Sequence, residues 1–271
     1  MHGLGNDFVV IDKRQHQFAL TSDGARRLAD RHTGIGCDQV IEIGEPGKRA
    51  EADIFMRVWN ADGSEVDACG NATRCVASLL MAEGTRKSLT IATGAGMLAA
   101  EAREDGIVAV DMGKPSLDWQ DIPLSEAANT LHLNLSEGQL SDPVAVSMGN
   151  PHCVFFVVDA EAVDIERHGP VLEHHELFPE RANIGIAQVI DRSTIRLRVW
   201  ERGTGLTLAC GTGACAAAIA ASRRSLTGRS VEMRLDGGIL NIDTRDDDHV
   251  IMTGPAAISY TGNFDDSLVE G

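Results

Sequence analysis

The sequence predicts an α+β protein made of two pseudo-symmetric, strand-rich domains, each a curled mixed sheet around one central helix. Three observations carry that expectation. The chain repeats itself: Trp59 stands ten residues ahead of Cys69 and Trp200 ten ahead of Cys210, each Trp closing an Arg-Val-Trp triplet, and the copies lie 141 residues apart. Its apolar residues fall mainly in short β-branched or alternating runs. Each Cys-Gly pair then opens a segment rich in helix-forming or small residues.

Along the chain the elements recur in the same order. Gly5-Asn6 precedes an apolar run from Phe8 to Ile11, as Gly149-Asn150 precedes Val154 to Val158, at an offset of 144. Ile35 to Ile41 matches Ile184 to Ile190 at an offset of 149, and Gly96 to Gly113 matches Gly238 to Gly254. Phe8–Asp12, Val40–Ile43, Ile54–Trp59 and Leu89–Thr93 read as strands. Ala72 to Glu83 reads as a helix stopped by Gly84. Gly213 to Ser222 is small and apolar almost all round, so its helix should be enclosed by protein. Gly94-Ala95-Gly96-Met97-Leu98-Ala99 fits a dinucleotide fingerprint, G-x-G-x-x-A. Its repeat partner, Asp236 to Asn241, ends in Asn and runs into another alternating segment, so both read as β-hairpins with glycine turns. The join between the copies is expected in residues 114–145, a polar stretch holding Pro115 and Pro143.

Composition narrows the function classes. A chain of 271 residues, 43% hydrophobic and 24% charged, is neither disordered nor fibrous and is long enough for two domains. A net charge of −16 disfavours a nucleic-acid or anionic-membrane surface and favours a soluble enzyme. The sequence has no apolar run of the ~18 residues a membrane helix needs, and Met1 to Asp7 has no basic and apolar leader pattern, so a cytoplasmic protein is expected. Six cysteines in 271 residues are too sparse for a disulfide scaffold, and their lack of Cys-x-x-Cys spacing argues against a structural zinc site. His168, His174 and His175 read as parts of a solvated, Pro-flanked loop, and no metal is expected.

The chemistry points to Cys69 and Cys210. Each lies where a glycine-containing loop becomes a helix, and free backbone N–H groups there favour negative charge. Such a position should lower a thiol's pKa and make it a usable base. The N–H groups of Gly70-Asn71 and Gly211-Thr212 could hold a carboxylate. A substrate carboxylate held that way would have a cysteine on either side of its α-carbon. One thiolate would remove the α-proton and the opposite thiol would return a proton to the other face, inverting the centre. Read singly, Cys69 and Cys210 could be ordinary buried small residues; their equivalent positions in a repeat argue otherwise. Cys75 and Cys215 inside the helices, and Cys37, read as packing, while Cys153 stays open.

These residues resemble the diaminopimelate epimerase family over nearly the whole chain. The motifs are Gly3-Leu4-Gly5-Asn6-Asp7-Phe8, Asn60-Ala61-Asp62-Gly63-Ser64, Cys69-Gly70-Asn71, Gly149-Asn150-Pro151-His152, Glu201-Arg202-Gly203 and Cys210-Gly211-Thr212-Gly213. The resemblance implies a cofactor-independent epimerase interconverting LL- and meso-2,6-diaminopimelate for lysine and peptidoglycan synthesis. It implies epimerase-like repeats at residues 1–113 and 114–254, with 255–271 rejoining the first, and a site in the cleft between them. By motif, Cys210 would take the proton from the LL substrate and Cys69 would supply one, with roles exchanged in reverse. Glu201 and His152 would sit beside the reacting centre. Asn60, Asn150, Asn183 and Arg202 would hold the distal end, with Asn6 and Gln39 lining the same pocket, and a homodimer is possible. Arg is suited to bidentate carboxylate recognition, which agrees with that assignment.

Ala72 stands where the family commonly has Gly, and little effect is expected. The family usually carries residues ahead of His2-Gly3 that form a first strand, so either that edge is short here or the start lies upstream. The acidic tail, Thr261 to Gly271, is expected to fray. Rival readings are an isomerase of the same fold acting on another amino acid, a carboxylate-binding protein without catalysis, and a thiol-redox protein. Arg202 with the Asn set argues for a substrate with a second zwitterionic end, and intact Cys69 and Cys210 argue against mere binding.

Overall fold

The structure, a computed structural model, describes residues 1–14 and 18–269. The chain divides into two compact units, Met1–Val110 with Gly254–Gly271, and Asp111–Thr253. Four α-helices are described: α1 (Ser22–Ala29), α2 (Gly70–Ala82), α3 (Ile165–Glu173) and α4 (Gly211–Arg223).

In the first unit, His2–Gly3 is antiparallel to Asn6–Asp12, which runs parallel to Gln39–Gly44. That strand is antiparallel to Ile54–Asn60, which is parallel to Ser88–Thr93, itself antiparallel to Gly96–Ala102. Parallel neighbours need a crossover, and α1 and α2 supply the two. Thr21 caps α1 by accepting the Gly24 N–H at 3.1 Å, worth about 1 kcal/mol. Ala25, Leu28 and Ala29 of α1 bury against Ile11, Val40 and Trp59.

The second unit repeats the scheme. Val144–Ser147 is antiparallel to Pro151–Phe156, which is parallel to Asn183–Asp191; that strand is antiparallel to Thr194–Glu201. Thr194–Glu201 is parallel to Ser230–Leu235, which is antiparallel to Gly238–Thr244, followed by Val250–Pro255. Here α3 and α4 are the crossovers. Each unit is therefore a mixed sheet around a helix, as the duplication predicts, and α4 is buried from Gly213 through Ala221. The two Gly-rich stretches are hairpins, with Thr93 paired to Gly96 and Leu235 to Gly238.

Four expectations need correction. The offset-149 match slips by five residues. Phe8 pairs with Gln39 and Gln39 with Asn60, whereas His152 pairs with Asn183, whose strand places Ile184 against Trp200. Asn183 is thus the counterpart of Gln39 at an offset of 144, and Cys37 corresponds to Arg181 and not to Ile186. Both stretches carry a glycine near a run of Ile and Val, so apolar matching alone slides along them. Secondly, His168 lies in α3, not in a loop. Asp164 caps that helix, and Ile165, Gly169 and Leu172 form its buried stripe. Pro170, between His168 and His174, sits within α3. Thirdly, the tail does not simply fray. Val269 is buried beside α1, Phe264 and Leu268 pack with it, and Arg27 Nε donates to the Leu268 carbonyl at 3.0 Å. Glu270 and Gly271 lie outside the described residues. Fourthly, Cys210 is not the acidic thiol expected at a helix N-terminus, because it is buried beside Glu201.

The polar stretch expected to join the copies is itself packed: Ile122, Leu124, Leu133, Leu135 and Leu140 enter the second unit's core with Phe155, Leu172 and Ile184.

Candidate active site

In the first unit Cys69 is the N-cap of α2, in extended conformation with φ −144° and ψ 114°. Its thiol points at Asn6 Oδ1, 3.9 Å from the sulfur, and Asn71 Nδ2 donates to the same oxygen at 3.2 Å. The orientation of the Asn6 amide follows from Asp38. A carboxylate only accepts, so the Nδ2 end of Asn6 faces Asp38 Oδ2 at 3.0 Å and the carbonyl end is left for Cys69. Arg31 grips Asp7 through two bonds of 2.9 and 2.8 Å and reaches Asp38 at 2.8 Å. On the adjoining strands Gln39 Nε2 donates to Asn60 Oδ1 at 3.0 Å, Asn60 Nδ2 donates to Ser64 Oγ at 3.1 Å, and Gln39 Oε1 is buried without a partner. Gly70 and Asn71 form the first, buried turn of α2.

In the second unit Cys210 caps α4 and is itself a hydrogen-bond acceptor: the Gly213 N–H lies 3.3 Å from its sulfur and the Thr212 hydroxyl 3.6 Å. Asn150 Nδ2 donates to Thr212 Oγ1 at 3.4 Å, which leaves the hydroxyl proton free to turn to sulfur. The other end of that amide, Oδ1, is 2.9 Å from His152 Nε2. His152 is fully buried, and burial, with the nearby Arg202 charge, pushes its pKa down to about 3, so the ring is neutral and Nε2–H donates to Asn150. Glu201 accepts the Thr207 hydroxyl. Asn183 is buried, its Nδ2 donating to the Pro151 carbonyl at 2.9 Å and its Oδ1 accepting the Arg202 N–H at 2.9 Å. Arg202 also donates to the Glu180 carbonyl at 3.0 Å. Gly211 is buried at the start of α4.

Cys210 departs from the acidity expected of a helix-capping thiol. Its helix-terminal donors do favour the thiolate, but burial and then the Glu201 charge outweigh them and hold the pKa well above the ordinary value. At neutral pH Cys210 is a thiol in this conformation. Cys37, Cys75 and Cys153 are buried, and burial pushes the first two to about 11 and about 12 and raises the third. They and buried Cys215 pack as ordinary small apolar residues. Among the described residues no His, Cys, Asp and Glu cluster is arranged to hold a metal. No described helix is long and apolar enough to cross a membrane.

Two groups that the sequence does not single out support the site residues. Asp38 fixes the Asn6 amide, and Glu173, at the end of α3, accepts the Trp200 indole N–H and the Gly203 N–H. Both act across long sequence separations, so no local spacing marks them.

The duplicated frame, a mixed sheet around a helix in each copy, is an α+β fold known from solved structures. The chain shares its fold with a hydroxyproline epimerase from Agrobacterium vitis, at a TM-score of 0.66 and 15% identity over 94% of this chain and 86% of that one. It likewise matches a phenazine biosynthesis protein of the PhzF family from Bacillus anthracis, at a TM-score of 0.62 and 18% identity over 94% and 92%. Within that class sequence narrows the assignment. A family model described as diaminopimelate epimerase matches residues 1–117 and 144–259. A diaminopimelate epimerase from Rhodospirillum centenum is 55% identical over 100% of this chain and 93% of its own length, and one from Acidiphilium cryptum is 55% identical over 99% and 96%. The chain belongs to the diaminopimelate epimerase family, and is an enzyme of the isomerase class.

Proposed function

We propose that the protein interconverts LL- and meso-2,6-diaminopimelate without a cofactor, using Cys69 and Cys210 on opposite faces of the α-carbon. The observation that carries this reading is that each repeat ends its Trp strand in a loop whose cysteine caps a helix, in a chain of this family. In the LL-to-meso direction the Cys210 thiolate takes the α-proton, negative charge passes into the substrate carboxylate, and the Cys69 thiol gives its proton to the other face. The products are a Cys210 thiol, a Cys69 thiolate and the meso compound; the reverse reaction exchanges the roles. N–H groups at Gly70-Asn71 and Gly211-Thr212 are suited to hold the carboxylate as its charge grows.

Because burial and Glu201 keep Cys210 protonated at rest, deprotonation has to be coupled to binding. A substrate α-ammonium beside Glu201 offsets that carboxylate's charge and lets the Gly213 and Thr212 donors favour the thiolate. Neutral His152 holds Asn150, and Asn150 holds Thr212, so this side is arranged to donate toward sulfur. Asn6, Gln39, Asn60, Asn150, Asn183 and Arg202 serve the distal amino-acid end, with Arg202 pairing its carboxylate. The repeats at residues 1–113 and 114–254 supply one cysteine each to the cleft, in a cytoplasmic enzyme that could pair as a homodimer.

The test uses reduced protein, no added cofactor and LL-diaminopimelate in D₂O. Proton NMR follows the α-hydrogen while chiral chromatography follows meso product. Loss of the α-hydrogen with meso product, abolished by Cys69→Ala and by Cys210→Ala, is expected. Exchange with another amino acid only would replace the substrate, and exchange with none would overturn the reading.

A further inference from the structure

We infer that Glu173 is a positioning residue that sets the place of Arg202 and, through it, the enzyme's demand for a second carboxylate on its substrate; the second half of this statement rests on the functional reading above. Glu173 is only 3% exposed, and the ion pair it makes, with Arg181 Nη1 at 3.7 Å, is long and to a side chain half in solvent. Burying a carboxylate is costly unless its oxygens are satisfied. Both are satisfied by the turn that carries Arg202. Oε2 accepts the Trp200 indole N–H at 2.7 Å, and Oε1 accepts the Gly203 backbone N–H at 2.9 Å.

The bonds bracket Glu201-Arg202 from both sides. Asn183 adds a third tether by accepting the Arg202 N–H at 2.9 Å, and the Glu180 carbonyl takes Arg202 Nη1 at 3.0 Å. The end of α3 and the following segment to Asn183 thus form a cradle for one arginine. The first unit shows what is special about it. There the Trp59 indole donates to Glu42 at 2.9 Å, but Glu42 turns its other oxygen to Lys13 at 2.6 Å and holds no turn. Each unit gives its indole a carboxylate, Glu42 from a strand in the first and Glu173 from α3 in the second, and among the described residues only the second also grips the following turn, which bears Arg202.

Glu173→Gln tests this with nearly unchanged volume. Two donors face the side chain, and Gln offers one acceptor oxygen and one NH₂, so one donor meets another. We expect KM for LL-diaminopimelate to rise tenfold or more with a much smaller change in kcat. In an Arg202→Ala background Glu173→Gln should add nothing to kcat/KM, because the two act through one group. Trp200→Phe removes one donor and should recover part of the KM. Amide hydrogen exchange in residues 200–205 should quicken in Glu173→Gln, and this readout does not need a substrate. Unchanged KM and unchanged exchange would overturn the inference, as would a full additional loss in the Arg202→Ala background. If Glu173→Gln does not fold, the Trp200→Phe, Glu173→Gln double variant carries the exchange measurement. Wild-type enzyme inert toward diaminopimelate would instead remove the functional reading, with the exchange result still deciding whether Glu173 holds the turn.

Discussion

Cys69 and Cys210 take the same place in their units, capping the helix that follows the strand ending at Asn60 or Glu201, yet their surroundings are opposite in polarity. Asn6 and Asn150 are counterparts at an offset of 144, and each reaches the first turn of its unit's cysteine-capped helix. Asp38 accepts from Asn6, so a carbonyl oxygen faces the Cys69 thiol. His152 donates to Asn150, so an NH₂ faces Thr212 and the hydroxyl is freed toward Cys210. The strand position before the turn is Asn60 in one unit and Glu201 in the other. A duplicated backbone can therefore carry two different acid–base environments, because an amide has two chemically distinct ends and the residue behind it decides which one faces inward. Two-sided proton transfer needs one thiol and one thiolate at a time, and equal environments would not favour either state.

The largest expected effect breaks the pair outright. Cys69→Ala and Cys210→Ala should each lower kcat by on the order of 10²–10⁴, the worth of one positioned acid or base, measured by meso product formation. An enzyme losing activity in one variant only would show that a single cysteine suffices.

Next in size is the buried histidine, whose counterpart in the first unit is Phe8. With a folded-state pKa of about 3 against an ordinary 6.5, His152 binds fewer protons folded than unfolded. Its contribution is intact above pH ~6.5 and is lost as pH falls toward ~3, by roughly 1.4 kcal/mol per pH unit. Denaturant unfolding of His152→Phe between pH 7 and 4 should show a flatter profile than the parent; an equal slope would place the acid sensitivity elsewhere.

A smaller effect separates the crossover helices. A Cβ on Gly169 of α3 would lie 2.5 Å from Trp200 Cγ, whereas one on Gly24 of α1 would meet Leu20 and the Val269 carbonyl at 3.1 Å. Gly169→Ala should cost about 1–3 kcal/mol by overpacking and Gly24→Ala less, read from the two thermal melts. The smallest change is electrostatic. Glu201→Gln removes a charge that raises the Cys210 pKa, so the pH profile of Cys210 alkylation, followed by peptide mass, should move to lower pH.

The sequence by itself determined the duplication, the α+β class, the helix after each Cys-Gly and the hairpins at Gly94 and Asp236. These rest on period, glycine placement and residue size, which act within a few residues. It also marked Cys69, Cys210 and the Asn and Arg set, because they stand in short motifs. What only the tertiary structure decided depends on neighbours far apart in the chain. The true register of Gln39 against Asn183 is fixed by strand pairing, since two Ile- and Val-rich runs match at several offsets. Buried surroundings and Glu201 turn the expected acidic Cys210 into a resting thiol, and burial is invisible in a motif. Asp38 reaches Asn6 from 32 residues away and Glu173 reaches Gly203 from 30, so their roles appear only once the sheets bring them together. Local preference writes the frame; the protonation and orientation of the groups on it come from charge and solvent exclusion, which are properties of the packed molecule.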